Sequence, residues 1–264
     1  MADLTANNLS VRYGARTILH SIAFCAHAGE VTVIAGPNGS GKSTLIKAIS
    51  FELPYSGLVR INGSDMASLK ARQLATLRAV LPQETSVVFP YTVAEVVLFG
   101  LEAGAMGRSH RSTSLIEAAL HRVGLAGFSH RFVSALSGGE RQRVQLARVL
   151  CQIWEPVGEN GPRWLIMDEP VASLDIKHQI SLMDIARDYA AQGGGVIAVM
   201  HDLNLSAIYA DKLVLMKEGA VVMEGPPSSV LTQQHLSDVF ECNIRPNIVP
   251  ATMPFILPQS VLEP

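Results

Sequence analysis

Val31-Thr32-Val33-Ile34-Ala35-Gly36-Pro37-Asn38-Gly39-Ser40-Gly41-Lys42-Ser43-Thr44 is the stretch that decides the fold. Residues 31–35 read as a buried strand, and residues 36–44 complete the pattern GxxxxGK[ST]. A helix follows from about Lys42, with Leu45, Ala48 and Ile49 on its packed face. In that order the glycines let backbone N–H groups curl around phosphate oxygens at a helix N-terminus, whose dipole favours anions. Lys42 is placed to reach β- and γ-phosphates, and the Ser43 hydroxyl to ligate Mg²⁺.

Outward from this loop, short β-rich runs alternate with helical periods, the pattern of an α/β domain with a largely parallel sheet. Trp164–Met167 and Val196–Met200 read as two more buried strands, and Lys212–Met223 as a hairpin turning at Glu218-Gly219. Between about Glu84 and Ile153 the texture is helical, with stretches near Thr92–Leu101, Ser114–Val123 and Glu140–Ile153. This predicts a helical lobe inserted into the α/β core. Glu155–Pro162 has loop chemistry, with two prolines and two glycines. After Arg245 the prolines at 246, 250, 254, 258 and 264 rule out long helices, which predicts an extended tail over 246–264 laid along the core of a domain spanning 1–245.

Composition narrows the function classes. In 264 residues, 48% are hydrophobic and 17% charged, which excludes disorder and allows a sizeable core. A net charge of -2 with no basic stripe gives no reason to expect nucleic acid as a partner. The longest apolar runs fall well short of the roughly 20 residues that span a bilayer. Met1–Thr5 lacks a signal-peptide pattern, so a cytosolic chain is expected whose membrane role comes through a partner. Cys25, Cys151 and Cys242 form no CxxC pair, so neither disulfide nor zinc site is expected. His20, His27, His110, His121, His130, His178 and His235 show no ligand spacing and read as ordinary. Arg108–Arg111 reads as a solvated loop, the alternative being a partner-facing segment.

Two further constellations carry chemistry. Trp164-Leu165-Ile166-Met167-Asp168-Glu169 is an apolar strand ending in two acids, which a buried strand excludes unless they are paired or bind metal. After a phosphate loop, Asp168 reads as a Mg²⁺ ligand and Glu169 as the general base; alone, the pair could equally cap the strand. Leu136-Ser137-Gly138-Gly139-Glu140 opens a helix whose buried face is Leu146, Val149, Leu150 and Ile153, giving a second anion-binding device. One nucleotide does not need two such devices from one chain. Two chains packed head to tail do, each ATP gripped by one loop and by the other chain's Ser-Gly-Gly.

On these residues the sequence resembles the ABC ATPase superfamily, whose signature is LSGGQ; Glu140 stands at its last position. The resemblance runs from about residue 4 to 230. It implies a P-loop NTPase (RecA-like) core with an N-terminal antiparallel β subdomain and the inserted helical lobe. It also implies ATP as substrate with Mg²⁺ as cofactor, the ion held by Ser43, Gln83 and Asp168. By the same resemblance Tyr13 stacks on adenine, although a packed surface tyrosine is the alternative. Gln83 senses Mg²⁺ and the water and links to the permease, and His201 contacts the γ-phosphate. Ser137, Gly138, Gly139, Glu140 and Asp175 act in trans in a homodimer.

Within the superfamily, Arg78–Gln83, Phe89–Val97 and His201-Asp202-Leu203-Asn204-Leu205 are similar to bacterial importers of iron chelates, cobalamin and haem. The insertion Trp154–Arg163 and the tail segment Pro254-Phe255-Ile256-Leu257-Pro258-Gln259 resemble the haem (hemin) importer ATPases. That likeness implies a peripheral subunit on the cytoplasmic face of the bacterial inner membrane. Its partners would be integral-membrane permease subunits and, indirectly, a periplasmic haem-binding protein. Ferric siderophore or cobalamin import stays open as the neighbouring alternative, and a soluble ATPase of iron–sulfur assembly as a remote one.

Overall fold

The computed structural model describes residues 3–83, 89–105, 112–249, 252, 254 and 256–258. The chain opens with two long strands, β1 (Asp3–Tyr13) and β2 (Arg16–His27), paired antiparallel about a turn at Gly14. Then come β3 (Val31–Ala35), α1 (Lys42–Ile49), β4 (Ser56–Ile61), β5 (Ser64–Asp65), α2 (Ala71–Leu77) and β6 (Arg78–Leu81). Three helices follow: α3 (Val93–Ala103), α4 (Ser112–Arg122) and α5 (Gly138–Gln152). The chain returns through the short β7 (Val157–Gly158) and β8 (Gly161–Pro162) to β9 (Trp164–Asp168), α6 (Ile176–Ala191), β10 (Gly195–Val199) and α7 (Leu203–Tyr209). It closes with β11 (Lys212–Lys217), β12 (Ala220–Gly225), α8 (Pro227–Val230) and α9 (Gln233–Phe240).

The strands make a six-stranded sheet in the order β12-β11-β3-β10-β9-β6 and a four-stranded one in the order β2-β1-β4-β5. Five strands of the larger sheet run parallel and only the edge strand β12 is antiparallel; the smaller sheet is antiparallel throughout. Its parallel strands are apolar along their whole length because both faces are covered. Leu165 and Met167 of β9 point into one core, shared with α3, α5 and α6, while Trp164 and Ile166 point into the other, shared with α1 and the small sheet. The expected α/β architecture, antiparallel subdomain and helical lobe are all present.

The lobe is built on close helix contact. Thr92 caps α3, its hydroxyl accepting the Glu95 N–H at 3.3 Å while Glu95 Oε2 accepts the Thr92 N–H at 2.7 Å, a reciprocal capping box. At Gly100, a Cβ would stand 1.9 Å from the Arg148 carbonyl oxygen of α5, so only glycine lets the two backbones approach this far.

Two expectations need correction. Residues 155–162 are not a plain loop: β7 and β8 pair as a small antiparallel hairpin. Asn62 tethers it, donating to the carbonyls of Asn160 (3.2 Å) and Pro162 (2.8 Å) while accepting from Trp164 Nε1 (3.1 Å). Nor do the described tail residues lie along the core: Ile248, Val249 and Ile256 are 66%, 69% and 83% exposed. The Arg108–Arg111 loop lies outside the described residues.

Candidate active site

Sheet order determines which loops meet. β3, β10, β9 and β6 are neighbours and parallel, so their carboxyl ends lie side by side at one edge, where open α/β sheets bind ligands. Val199 is in register with both Ile34 and Asp168, and Leu81 with Met167. Beyond these ends come residues 36–44, His201, Asp168-Glu169 and Gln83.

The glycine loop begins under tight constraint. Gly36 has φ +151°, and a Cβ there would meet the Met216 carbonyl oxygen of β11 at 2.2 Å. Gly41 is the N-cap of α1 and supplies no side-chain acceptor, so the first-turn N–H groups face the loop without a side-chain cap. The buried Lys42 ammonium donates to the Gly36 and Pro37 carbonyls at 2.9 and 3.0 Å. Burial lowers its pKa, opposed by the Glu169 and Asp168 carboxylates. The buried Ser40 hydroxyl has no protein partner. A cation held by neutral carbonyls beside open N–H donors is a site made for an anion.

Ser43 Oγ donates to Asp168 Oδ1 at 3.1 Å, joining loop to strand end. Asp168 is buried, and burial raises its pKa, opposed by the Ser43 hydroxyl. A desolvated carboxylate beside a hydroxyl is an all-oxygen donor set that suits a hard divalent cation such as Mg²⁺. Glu169 has φ +50°, a strained value for glutamate, and both of its oxygens are held. Gln83 Nε2 donates to Oε2 at 2.7 Å, and His201 Nε2 meets Oε1 at 2.6 Å. Three strand ends thus converge on one carboxylate.

The remaining expected residues gather elsewhere. Ser137 caps α5 in a second capping box: its hydroxyl accepts the Glu140 N–H at 3.3 Å, and Glu140 Oε2 accepts the Ser137 N–H at 2.7 Å. That backbone hydrogen bond lowers the Glu140 pKa, so the residue is a capping carboxylate rather than a free charge. Gly138 starts the helix, and a Cβ at Gly139 would lie 3.3 Å from Leu174 Cδ2 and 3.7 Å from the Ser173 carbonyl oxygen, so this turn packs against Ser173-Leu174. Asp175 caps α6, accepting from the His178 N–H at 3.0 Å and meeting His178 Nδ1 at 2.7 Å; the backbone bond lowers its pKa. Tyr13 is 52% exposed at the tip of β1. Tyr13, Ser137–Glu140 and Asp175 take no part in the hydrogen bonds around Glu169 and Lys42.

Three positioning residues escaped the sequence reading. Asp202, next to His201, caps α7 by accepting the N–H groups of Asn204 and Leu205 at 2.7 and 3.1 Å; an Asp just before an apolar helical run was the available signal. His178 holds Asp175, and its i+3 spacing from that residue was legible. Asn62 had no local signal beyond its Asn-Gly turn.

The family profile described as "ABC transporter" matches residues 19–172. The chain is similar to the hemin import ATP-binding protein HmuV of Bartonella henselae, 51% identical over 97% of each chain. It is 53% identical to the protein of that name in Jannaschia sp., over 94% of this chain and 90% of the other. Among solved structures it superposes on one described as "Structure of ATP binding subunit of ABC transporter" with TM-score 0.78 at 24% identity, covering 90% of this chain and 98% of that one.

Proposed function

Because the chain belongs to the ABC transporter family, we propose that it is the ATP-hydrolysing subunit of a haem importer and that the Glu169 cluster is its catalytic centre. The observation that carries the catalytic reading is the double grip of Gln83 and His201 on Glu169, beside the buried Lys42 and the Ser43–Asp168 pair. Lys42 exchanges its two carbonyl partners for β- and γ-phosphate oxygens, and residues 36–44 surround these with backbone N–H groups. Tyr13 stacks on adenine. Ser43 and Asp168, with Gln83, would hold Mg²⁺, which would supply charge neutralisation to the phosphates. Glu169 takes a proton from the attacking water, and His201 turns toward the γ-phosphate.

A chain with two anion-binding helix starts, only one of them beside its own Lys42, works as a head-to-tail pair. Ser137, Gly138, Gly139, Glu140 and Asp175 then close over the partner's ATP. No helix among the described residues is long and apolar enough to cross a membrane, so transport proceeds through separate integral-membrane permease subunits. The subunit sits on the cytoplasmic face of the bacterial inner membrane, fed from the periplasm by a haem-binding protein. Identity of 51% over almost the whole chain to a hemin import protein supports haem as cargo.

The test is reconstitution in vesicles with the cognate permease and haem-binding protein. ATP hydrolysis coupled to haem uptake is expected. Uptake of cobalamin or a ferric siderophore, with none of haem, overturns the cargo and leaves the ATPase standing.

A further inference from the structure

Away from the catalytic edge, the open end of the β1–β2 hairpin brings together three side chains of metal-binding type. Asp3 pairs directly with His27 across the ladder, and Thr5 with Cys25. The two-residue period of a strand puts Cys25 and His27 on one face, while Phe24 and Ala26 turn into the core. On that outer face His27 Nδ1 lies 2.8 Å from Asp3 Oδ1 and 4.0 Å from Cys25 Sγ. One donor atom from each residue falls within 4.8 Å of the others, and all three side chains are partly accessible.

We propose that Asp3, Cys25 and His27 form a binding site for a borderline divalent transition-metal ion of the zinc type, with a fourth position open to solvent. Tetrahedral zinc with ordinary bond lengths places sulfur and nitrogen about 3.6 Å apart, and nitrogen and oxygen about 3.3 Å apart. About the single nitrogen Nδ1, the observed spacings of 4.0 and 2.8 Å reach those values with movements of about half an ångström or less. Thiolate, imidazole and carboxylate together select this class of ion over Mg²⁺, which prefers oxygen alone. The surroundings also favour a cation. Asp3, Glu224 and Glu30 all act on Cys25 with negative charge, and the cation that opposes them, Lys212, is already committed. Lys212 bridges to Glu224 at 3.1 Å and donates to the Cys25 carbonyl at 2.9 Å.

A bound ion would tie the start of β1 to the end of β2, closing the hairpin at the end opposite Tyr13. It would displace the thiol proton. The alternative is a partly exposed His27–Asp3 pair, with the cysteine a bystander.

The test uses the full chain, treated with chelator, free of nucleotide and titrated with Co²⁺ alone. Expected are a near-ultraviolet thiolate-to-cobalt charge-transfer band and tetrahedral visible bands that saturate at one ion per chain. Cys25→Ser should abolish the charge-transfer band and Cys242→Ser should keep it. His27→Ala and Asp3→Asn should each weaken binding at least about tenfold. Because Cys25→Ser could disturb folding, each variant is checked for ATP hydrolysis, which should stay near the parent rate. No thiolate band in the parent overturns the proposal, as does a band that survives Cys25→Ser, one lost with Cys242→Ser, or one indifferent to both His27→Ala and Asp3→Asn.

Discussion

Replacing Glu169 by Gln separates chemistry from architecture at this site. Both carboxylate oxygens are engaged, by Gln83 Nε2 at 2.7 Å and His201 Nε2 at 2.6 Å. An amide keeps one acceptor oxygen where it stands. Its NH₂ can be met by the carbonyl of Gln83 once that amide turns over, or by His201 in the other tautomer. Shape and hydrogen bonding therefore survive, and ATP affinity should change only a few-fold. Basicity does not survive. A positioned general base contributes about 10²–10⁴-fold, and each tenfold step is about 1.36 kcal/mol. The barrier should rise by about 2.7–5.4 kcal/mol. Phosphate release at saturating Mg-ATP measures the loss, and gel filtration with ATP should show the two subunits held together by unhydrolysed nucleotide. If Glu169 only positions His201, the amide would do that almost as well, so a turnover within tenfold of the parent refutes the assignment.

Ser137→Arg should abolish hydrolysis although Lys42 and its loop are untouched, and mixing it with Lys42→Ala should restore activity from at most one intact site per dimer. Normal hydrolysis by monomeric Ser137→Arg would refute the head-to-tail arrangement. Asp168 carries a pKa raised by burial above its ordinary 3.8, so its contribution to stability is fully present below 3.8 and is lost as pH rises through the raised value. In metal-free melts Asp168→Asn should therefore gain on the parent as pH climbs from below 3.8 toward neutrality; a constant difference across that range refutes it. Gly100→Ala forces a methyl to within 1.9 Å of the Arg148 carbonyl, an overpacking of about 1–3 kcal/mol. Tm should fall by about 2–4 °C for each kcal/mol, and an unchanged Tm would refute the tight α3–α5 contact.

Much of the fold was legible because buried parallel strands must be apolar on both faces. Val31–Ala35, Trp164–Met167 and Val196–Met200 announce themselves as short uninterrupted runs, and the structure places strands there within a residue or so. Helix starts were equally plain where a Ser or Thr precedes a Glu by three residues, as at Thr92 and Ser137. The hairpin at 155–162 was not legible. Its strands are two residues each and contain glycine and proline. What orders them is Asn62, about a hundred residues earlier, through contacts that leave no local pattern.

The candidate site divides along the same line, between what local sequence encodes and what sheet order creates. Lys42, Asp168 and Glu169 stand in motifs whose chemistry reads directly. That Gln83 and His201 both close on Glu169 follows only from β10, β9 and β6 being consecutive in the sheet, with β9 in the middle carrying the carboxylate. The Asp3–Cys25–His27 group is a sharper case. A search for CxxC pairs or regularly spaced histidines passes over it, since its spacing is Cys-Ala-His on one strand and the third donor comes from the neighbouring strand 24 residues away. Antiparallel pairing converts that separation into direct opposition. Ligand spacing along a chain is thus a sound guide on helices and tight turns, where neighbours in space are neighbours in sequence, and a poor one on long hairpins. For this chain it is the register of β1 on β2 that makes a metal site conceivable, while the order of β10, β9 and β6 gives the proposed catalytic carboxylate its two partners. Each oxygen of that carboxylate already accepts one hydrogen bond, from Gln83 at Oε2 and from His201 at Oε1. Under the proposed mechanism, a γ-phosphate that draws His201 away loosens the hold on Oε1 and leaves that oxygen better placed to accept the water's proton.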